Sequence, residues 1–394
     1  MTIDVERARR DTPGCEHVIH LNNAGSSLPP TPVVEAVVAH LELEARIGGY
    51  EAHEQNGEAI DRFYGAVAEL IGAQPEEIAF CSSATRAWDL AFYAFAFRPG
   101  DRVLTTVADY ISNYLAYLQS ARRTGMELVI APNDEHGQVS VDALRELVDE
   151  RVKLIAVTHV PTNGGLVNPV AEIGAIARDA GIPYLVDACQ SAGQMPLDVD
   201  AIGCDALSAT GRKFLRGPRG TGFLYVRRSL LERLEPPMLD MRAAEWVARD
   251  RYELRADGRR FEEWEQDYAA KAGLARAIDY ALEWGIEDIW ERVRALGETL
   301  RSGLEGIDGV TIRDSGDLRC GIVTFEVAGV AAERVKAALA EARINVTVSE
   351  RAHARVDAEE RGLPHLVRAS VHYFNTDDEL EAAVQTVTSL ADAL

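Results

Sequence analysis

The 394 residues predict an α/β fold: a mostly parallel seven-stranded sheet covered by helices on both faces, followed by a smaller α+β domain. Three observations carry that reading. Seven short apolar runs recur through the middle of the chain, "EIAFCSS", "DRVLTTV", "MELVIAP", "VKLIAVTHV", "PYLVDAC", "CDALSAT" and "TGFLYV". Amphipathic segments such as "SVDALRELVDE" and "VAEIGAIARDAG" lie between most of them, and strands that alternate with helices assemble as a parallel sheet. Near the C-terminal end shorter strands and helices alternate again, as in a second, smaller unit.

Each element has its own signal. Residues 1–30 read as irregular, ending in the loop "LNNAGSSLPP". A helix runs from Thr31 to about Arg46, with Pro32 in the first turn and Gly48-Gly49 as the stop. The last two of the seven runs are separated by a glycine-rich turn, so one strand is expected to be antiparallel. A long helical region follows at about 265–306. Then come "GVTIR", "CGIVTFEV", the helix "AAERVKAALAEA", "INVTVS", "LVRASVH" and a terminal helix from Asp377. The polar stretch 349–365 is expected to be a loop beside a site. The domain reading is an N-terminal segment 1–30 joining the small domain, a large domain 31–265, and a linking helix with the small domain at 266–394.

Composition narrows the function. The chain carries 41 basic and 63 acidic residues, a net charge of −22, which argues against nucleic acid or an anionic membrane as partner. Cys15, Cys81, Cys189, Cys204 and Cys320 are dispersed without a CxxC pair, so neither a zinc site nor a disulfide framework is expected. The start "MTIDVERARRDTPG" has no apolar core of a signal peptide, and no run approaches a membrane span. A cytoplasmic enzyme is expected.

Ligands of open α/β sheets sit beyond the carboxyl ends of strands. After "PYLV" come Asp187 and Gln190. A carboxylate there is either a helix cap or a partner for a protonated ring nitrogen. After "EIAF" come Ser82, Ser83 and Thr85 at a strand-to-helix turn, which could cradle a phosphate but taken alone reads rather as a simple capping motif. After "CDALSAT" come Thr210, Gly211, Arg212 and Lys213. A P-loop requires a helix next, and here a turn and another strand follow. A lysine held beside phosphate, an arginine and apolar walls has a lowered pKa and serves as a Schiff-base nucleophile. Lysine, carboxylate and phosphate turn together meet the requirements of pyridoxal 5'-phosphate.

At these residues the chain resembles the class V aminotransferase and cysteine desulfurase superfamily of fold-type I pyridoxal-phosphate enzymes, over nearly its whole length. The stretch "LVDACQSAGQMPLDVDAIGCDALSATGRKFLRGPRGTGFLYV" is similar to the family's D-x-x-Q…K-x-x-x-GP-x-G pattern. The resemblance implies that Lys213 carries the cofactor, Asp187 pairs with its pyridine nitrogen and Gln190 reaches its ring hydroxyl. Ala84, Thr85, Thr210 and Arg212 fall at phosphate-binding positions, with Arg212 where histidine is common. Tyr110 falls where many members stack a histidine on the ring, and Thr162 or Asn163 approaches the ring hydroxyl. "LVRASVHYFNTDDEL" resembles the family's arginine motif, so Arg368 would clamp a substrate carboxylate, and "LNNAGSS" places Asn23 and Ala24 near the substrate. His159 reads as a structural histidine.

"LELEARIGGYEAHEQN" and "LNNAGSSLPP" resemble the isopenicillin N epimerase-like branch, which also holds lyases of cysteine S-conjugates. "GGYEAHEQN" by itself reads as a helix-terminating turn. Desulfurases of the superfamily carry a nucleophilic cysteine in the small domain, and residues 345–366 hold none. The expectation is therefore C–S β-elimination on a cysteine S-conjugate, with a persulfide route excluded. Transamination, epimerisation and decarboxylating oxidative deamination are the alternatives. A small amino-acid substrate and a homodimer with shared active sites are implied.

Overall fold

The computed structural model describes residues 3–393. The strands in chain order are β1 (Ile19–His20), β2 (Ile78–Cys81), β3 (Arg102–Thr106), β4 (Glu127–Ala131), β5 (Val152–Thr158), β6 (Tyr184–Asp187), β7 (Ala206–Thr210) and β8 (Gly222–Val226), then β9 (Ala244–Ala248), β10 (Arg251–Leu254), β11 (Val310–Ile312), β12 (Ile322–Val327), β13 (Ile344–Asn345), β14 (Thr347–Ser349) and β15 (Leu366–Ser370). Up to β8 the helices are α1 (Val5–Arg10), α2 (Thr31–Ile47), α3 (Gly49–Gln55), α4 (Gly57–Ile71), α5 (Ala84–Phe92), α6 (Ile111–Thr124), α7 (Val141–Glu146), α8 (Val170–Ala180) and α9 (Val199–Ile202). After it come α10 (Arg228–Leu231), α11 (Tyr268–Trp284), α12 (Ile286–Glu305), α13 (Ala332–Glu341), α14 (Arg355–Glu360) and α15 (Asp377–Ala391).

All seven apolar runs become strands of one sheet, in the order β2-β8-β7-β6-β5-β3-β4. Only β8 runs against its neighbours β2 and β7; β7, β6, β5, β3 and β4 are parallel. The continuous apolar character has a direct cause. Leu104, Ile155, Val186 and Leu207 pack into a cluster on one face, and Val103, Leu154, Leu185 and Leu224 into another on the opposite face. A strand covered on both sides has no polar face, so its sequence does not alternate.

The smaller sheet has the order β11-β12-β15-β14 and is antiparallel throughout. Helices α12, α13 and α15 pack together beside it. Strand β1 pairs with β13, and Asn22 bridges Ser370, so the N-terminal segment is tied to the small sheet. That pairing carries the loop 21–28 across to the ends of the large-sheet strands.

Three local expectations need correction, and one element was not foreseen. Residues 1–30 are not irregular throughout: α1 is capped by the Asp4 side chain, and β1 pairs with β13. "GGYEAHEQN" does end α2, but Gly49–Gln55 forms a further helix instead of a turn. The hairpin β9–β10 had no prediction, because most of its residues are exposed and none is buried, so no apolar stripe marks it. Residues 349–365 are not a plain loop, since α14 forms there and Ala358, Leu363 and Leu366 cluster beneath it.

Candidate active site

The carboxyl ends of β5, β6 and β7 and the first turn of α5 enclose one cavity, lined among others by Thr85, Tyr110, Thr162, Asp187, Thr210 and Lys213. Lys213 follows β7 in the turn toward β8 and is 7% exposed. Burial pulls its amine below the ordinary lysine range. The Arg212 and Arg368 guanidiniums act in the same direction, while Cys189 and Asp187 oppose it.

The turn behind Lys213 is held rigidly. Arg216 takes a left-handed backbone at φ 61°, uncommon for a residue with a side chain. Its buried guanidinium donates to Leu28 O at 2.9 Å, to Tyr373 Oη at 2.6 Å and to Thr12 Oγ1 at 2.5 Å. One side chain thus ties the lysine turn to the N-terminal segment and to the segment after β15.

Asp187 ends β6 and is buried. Its Oδ1 accepts from the Cys189 amide at 2.9 Å, and its Oδ2 from Asn113 Nδ2 at 3.0 Å. Gln190 Nε2 donates to Ala24 O at 3.1 Å and to Thr162 Oγ1 at 2.9 Å, which leaves its buried Oε1 without a partner. Arg368, on β15, donates to Thr162 O at 2.9 Å and Thr162 Oγ1 at 2.7 Å. Its Nε is buried and unpartnered, and burial together with the nearby Arg212 pulls it down to about 10.

On the opposite wall, Ser83 Oγ caps α5 by accepting from the Arg86 amide at 3.1 Å. The amides of Ala84 and Thr85 precede any intrahelical partner and face the cavity end of the helix. Thr210 Oγ1 reaches Thr221 O at 3.3 Å. Arg212 lines the cavity and its guanidinium also donates to Gly25 O. Tyr110 is half-buried at the start of α6.

The structure brings together most of the residues singled out in the sequence, with one distinction. Asn23, Ala24 and Arg368 do not line this cavity; Arg368 meets it through its bonds to Thr162. The Asn23 amide donates to Ser370 O at 2.8 Å and His20 O at 3.1 Å, and accepts from Ser27, which shapes the loop itself. Ala24 meets the site through its carbonyl, the acceptor of Gln190. His159 sits behind the site, its amide bonded to Asp187 O and its imidazole pushed down to about 4 by burial. Sequence reasoning missed Asp109, Asn113 and Cys189, the last of which lines the cavity.

A buried lysine with a lowered pKa, a strand-end carboxylate and a helix N-terminus around one cavity define an enzyme site built for a phosphorylated aldehyde cofactor. Comparison with known proteins gives the family. The model of the class-V aminotransferases matches residues 19–383, and the chain belongs to that family. A protein of Methanothermobacter thermautotrophicus named "Probable cysteine desulfurase" is 32% identical over 98% of both chains. The apo structure of a cysteine desulfurase from Thermococcus onnurineus NA1 superposes with a TM-score of 0.93 at 30% identity, covering 100% of this chain and 99% of that one. A structure described as a C-DES mutant with glycine covalently linked to its PLP cofactor has a TM-score of 0.86 at 24% identity, covering 96% and 98%.

The site fits pyridoxal phosphate. The orphaned Gln190 Oε1 and Arg368 Nε are buried polar atoms that lack a partner within the chain. The α5 amides supply an anion seat.

These relatives overturn the expected reaction. The reading as a lyase of cysteine S-conjugates rested on a branch resemblance, and the exclusion of persulfide formation on the missing cysteine at 345–366. Full-length relatives named as cysteine desulfurases point the other way. The inference failed for a physical reason: sulfur transfer requires a thiol at the substrate, and that thiol need not belong to one segment, or to the same chain.

Proposed function

We propose that the protein desulfurates L-cysteine, giving alanine and leaving the sulfur on an acceptor thiol as a persulfide: cysteine + R–SH → alanine + R–S–SH. The observation that carries this reading is the end-to-end match to relatives named as cysteine desulfurases. The cofactor is pyridoxal 5'-phosphate. Bound here, it supplies a pyridinium ring that accepts electron density from bonds at the substrate Cα.

In this reading Lys213 is the amine that reacts with the cofactor aldehyde, and its lowered pKa keeps a reactive neutral fraction available. Asp187 holds the pyridine nitrogen protonated, because a buried carboxylate stabilises an adjacent cation. Gln190 and Thr162 hold the ring hydroxyl. Ala84, Thr85, Thr210 and Arg212 would hold the phosphate, and Tyr110 would face the ring. Arg368 takes the substrate carboxylate and orients the Cα bonds. With substrate in place, Lys213 would be the amine positioned to move protons at Cα.

Of the five cysteines Cys189 alone lines the cavity, and burial pushes its thiol up to about 12. A thiol that stays protonated is a poor nucleophile, so the acceptor comes from outside the chain. The protein works as a homodimer in the cytoplasm. Exposed Tyr50, Met241 and Trp246, at 76%, 70% and 75%, support self-association, and five unpaired cysteines support a reducing compartment.

The test is incubation of holoenzyme with L-cysteine and a small dithiol. Alanine and sulfide released in equal amounts support the reading. Pyruvate and ammonia without alanine would overturn it.

A further inference from the structure

Behind the cavity lies a second carboxylate that the reading above does not use. Asp109 is 1% exposed, in the loop between β3 and α6. It accepts from Thr105 Oγ1 at 2.7 Å, Tyr117 Oη at 3.0 Å, Asn113 Nδ2 at 3.0 Å and the Tyr110 amide at 2.6 Å, and from Thr158 Oγ1. Donors from two strands and one helix therefore converge on one buried anion.

This is not a helix cap. A capping side chain accepts from the second or third amide of its helix, whereas Asp109 accepts from the amide of Tyr110, which precedes α6. Its other partners are side chains. One of them, Asn113, is shared: the same Nδ2 lies 3.0 Å from Asp109 Oδ1 and 3.0 Å from Asp187 Oδ2. Asn113 is itself 1% exposed, so it has no solvent alternative. The amide held by Asp109 belongs to Tyr110, which lines the cavity.

We propose that Asp109 is the positioning residue of the site: through Asn113 it fixes the carboxylate of Asp187, and through the Tyr110 amide it fixes the side chain that faces the cofactor ring. One buried carboxylate sets two of the cofactor's contacts from behind. This rests on the assignment of Asp187 to the ring nitrogen and of Tyr110 to the ring face. It does not depend on which reaction follows. Outer-shell partners of this kind orient the groups that touch a cofactor, and their loss weakens binding by about 10- to 100-fold in metal sites built the same way.

The experiment uses holoenzyme and two variants. Asn113→Ala cuts the arm to Asp187 while Asp109 keeps its four other donors. Asp109→Asn weakens both arms. For each, the dissociation constant for pyridoxal phosphate and the pH midpoint of the visible band of the bound cofactor are measured, with thermal unfolding of the cofactor-free protein as control. The expected result for Asn113→Ala is cofactor affinity lower by about tenfold or more and a shifted midpoint, with unfolding little changed. In an Asp187→Ala background the Asn113→Ala change should no longer move the midpoint, because the relay has lost its far end. Wild-type affinity and midpoint in Asn113→Ala, or an undiminished effect in the Asp187→Ala background, would overturn the proposal. Asn113→Ala decides even if Asp109→Asn fails to fold. A wild-type protein that binds the cofactor but makes no alanine refutes desulfuration and leaves this inference standing. One that binds no cofactor ends both.

Discussion

Gly222 opens β8 at the point where the strand passes beneath the first turn of α5. A methyl group there would lie 2.6 Å from Ala209 O, 2.8 Å from Ser83 C and 2.9 Å from Ala84 N. All three are backbone atoms, so no side chain can swing aside. To reach ordinary contact the α5 turn must retreat by roughly half an ångström or more. Overpacking of this kind costs about 1–3 kcal/mol. The atoms that move carry the Ala84 and Thr85 amides, so Gly222→Ala is expected to weaken cofactor binding about 10- to 100-fold, since each 1.4 kcal/mol is a factor of ten. Titration of cofactor-free protein with pyridoxal phosphate, followed by fluorescence, reads this directly. Gly174→Ala is the control: its methyl would lie 1.8 Å from Ile202 O, away from the cavity. It should lower the unfolding temperature and leave cofactor affinity unchanged. Gly222→Ala with wild-type affinity, despite a similar loss of stability, would refute the assignment of the α5 turn to the phosphate.

Two further outcomes concern pH. Lys213 has a folded pKa below its unfolded value of 10.5, so the cofactor-free fold carries a cost at neutral pH that is relieved as pH rises toward 10.5. Lys213→Met should therefore be more stable than wild type without cofactor at pH 7, with a gap that narrows in alkaline chemical denaturation. His159 runs from 6.5 unfolded to about 4 folded, so it contributes no penalty above 6.5 and an increasing one down to pH 4. His159→Leu should abolish a loss on the order of 3 kcal/mol across that window, measured by urea unfolding at pH 7 and pH 4.5. Equal pH slopes in the two proteins would mean the imidazole is not held neutral.

The large sheet was legible because buried parallel strands declare themselves as unbroken apolar runs, and Ile155, Val186 and Leu207 are among the residues that do so. Lys213 and Asp187 were legible because a charged side chain directly after such a run needs a reason. The same cue was present in "VLTTVADYISN", where Asp109 closes an apolar stretch, but its partners Thr105, Asn113, Tyr117 and Thr158 come from three elements and converge only in the fold. The role of Arg216 was invisible for a related reason: its acceptors lie on residues 12, 28 and 373. The hairpin β9–β10 has little burial to pattern its sequence. The reaction was misread because a branch resemblance in two short stretches and one absent cysteine were given more weight than the whole chain.

The most direct test of the central claim is borohydride reduction of the holoenzyme followed by peptide mass mapping. Reduction makes the lysine–cofactor bond permanent. The expected result is a single cofactor-derived mass increment on the peptide that contains Lys213, and none in Lys213→Ala. A label on Lys271 or another lysine, or no label in a protein saturated with pyridoxal phosphate, would contradict the account.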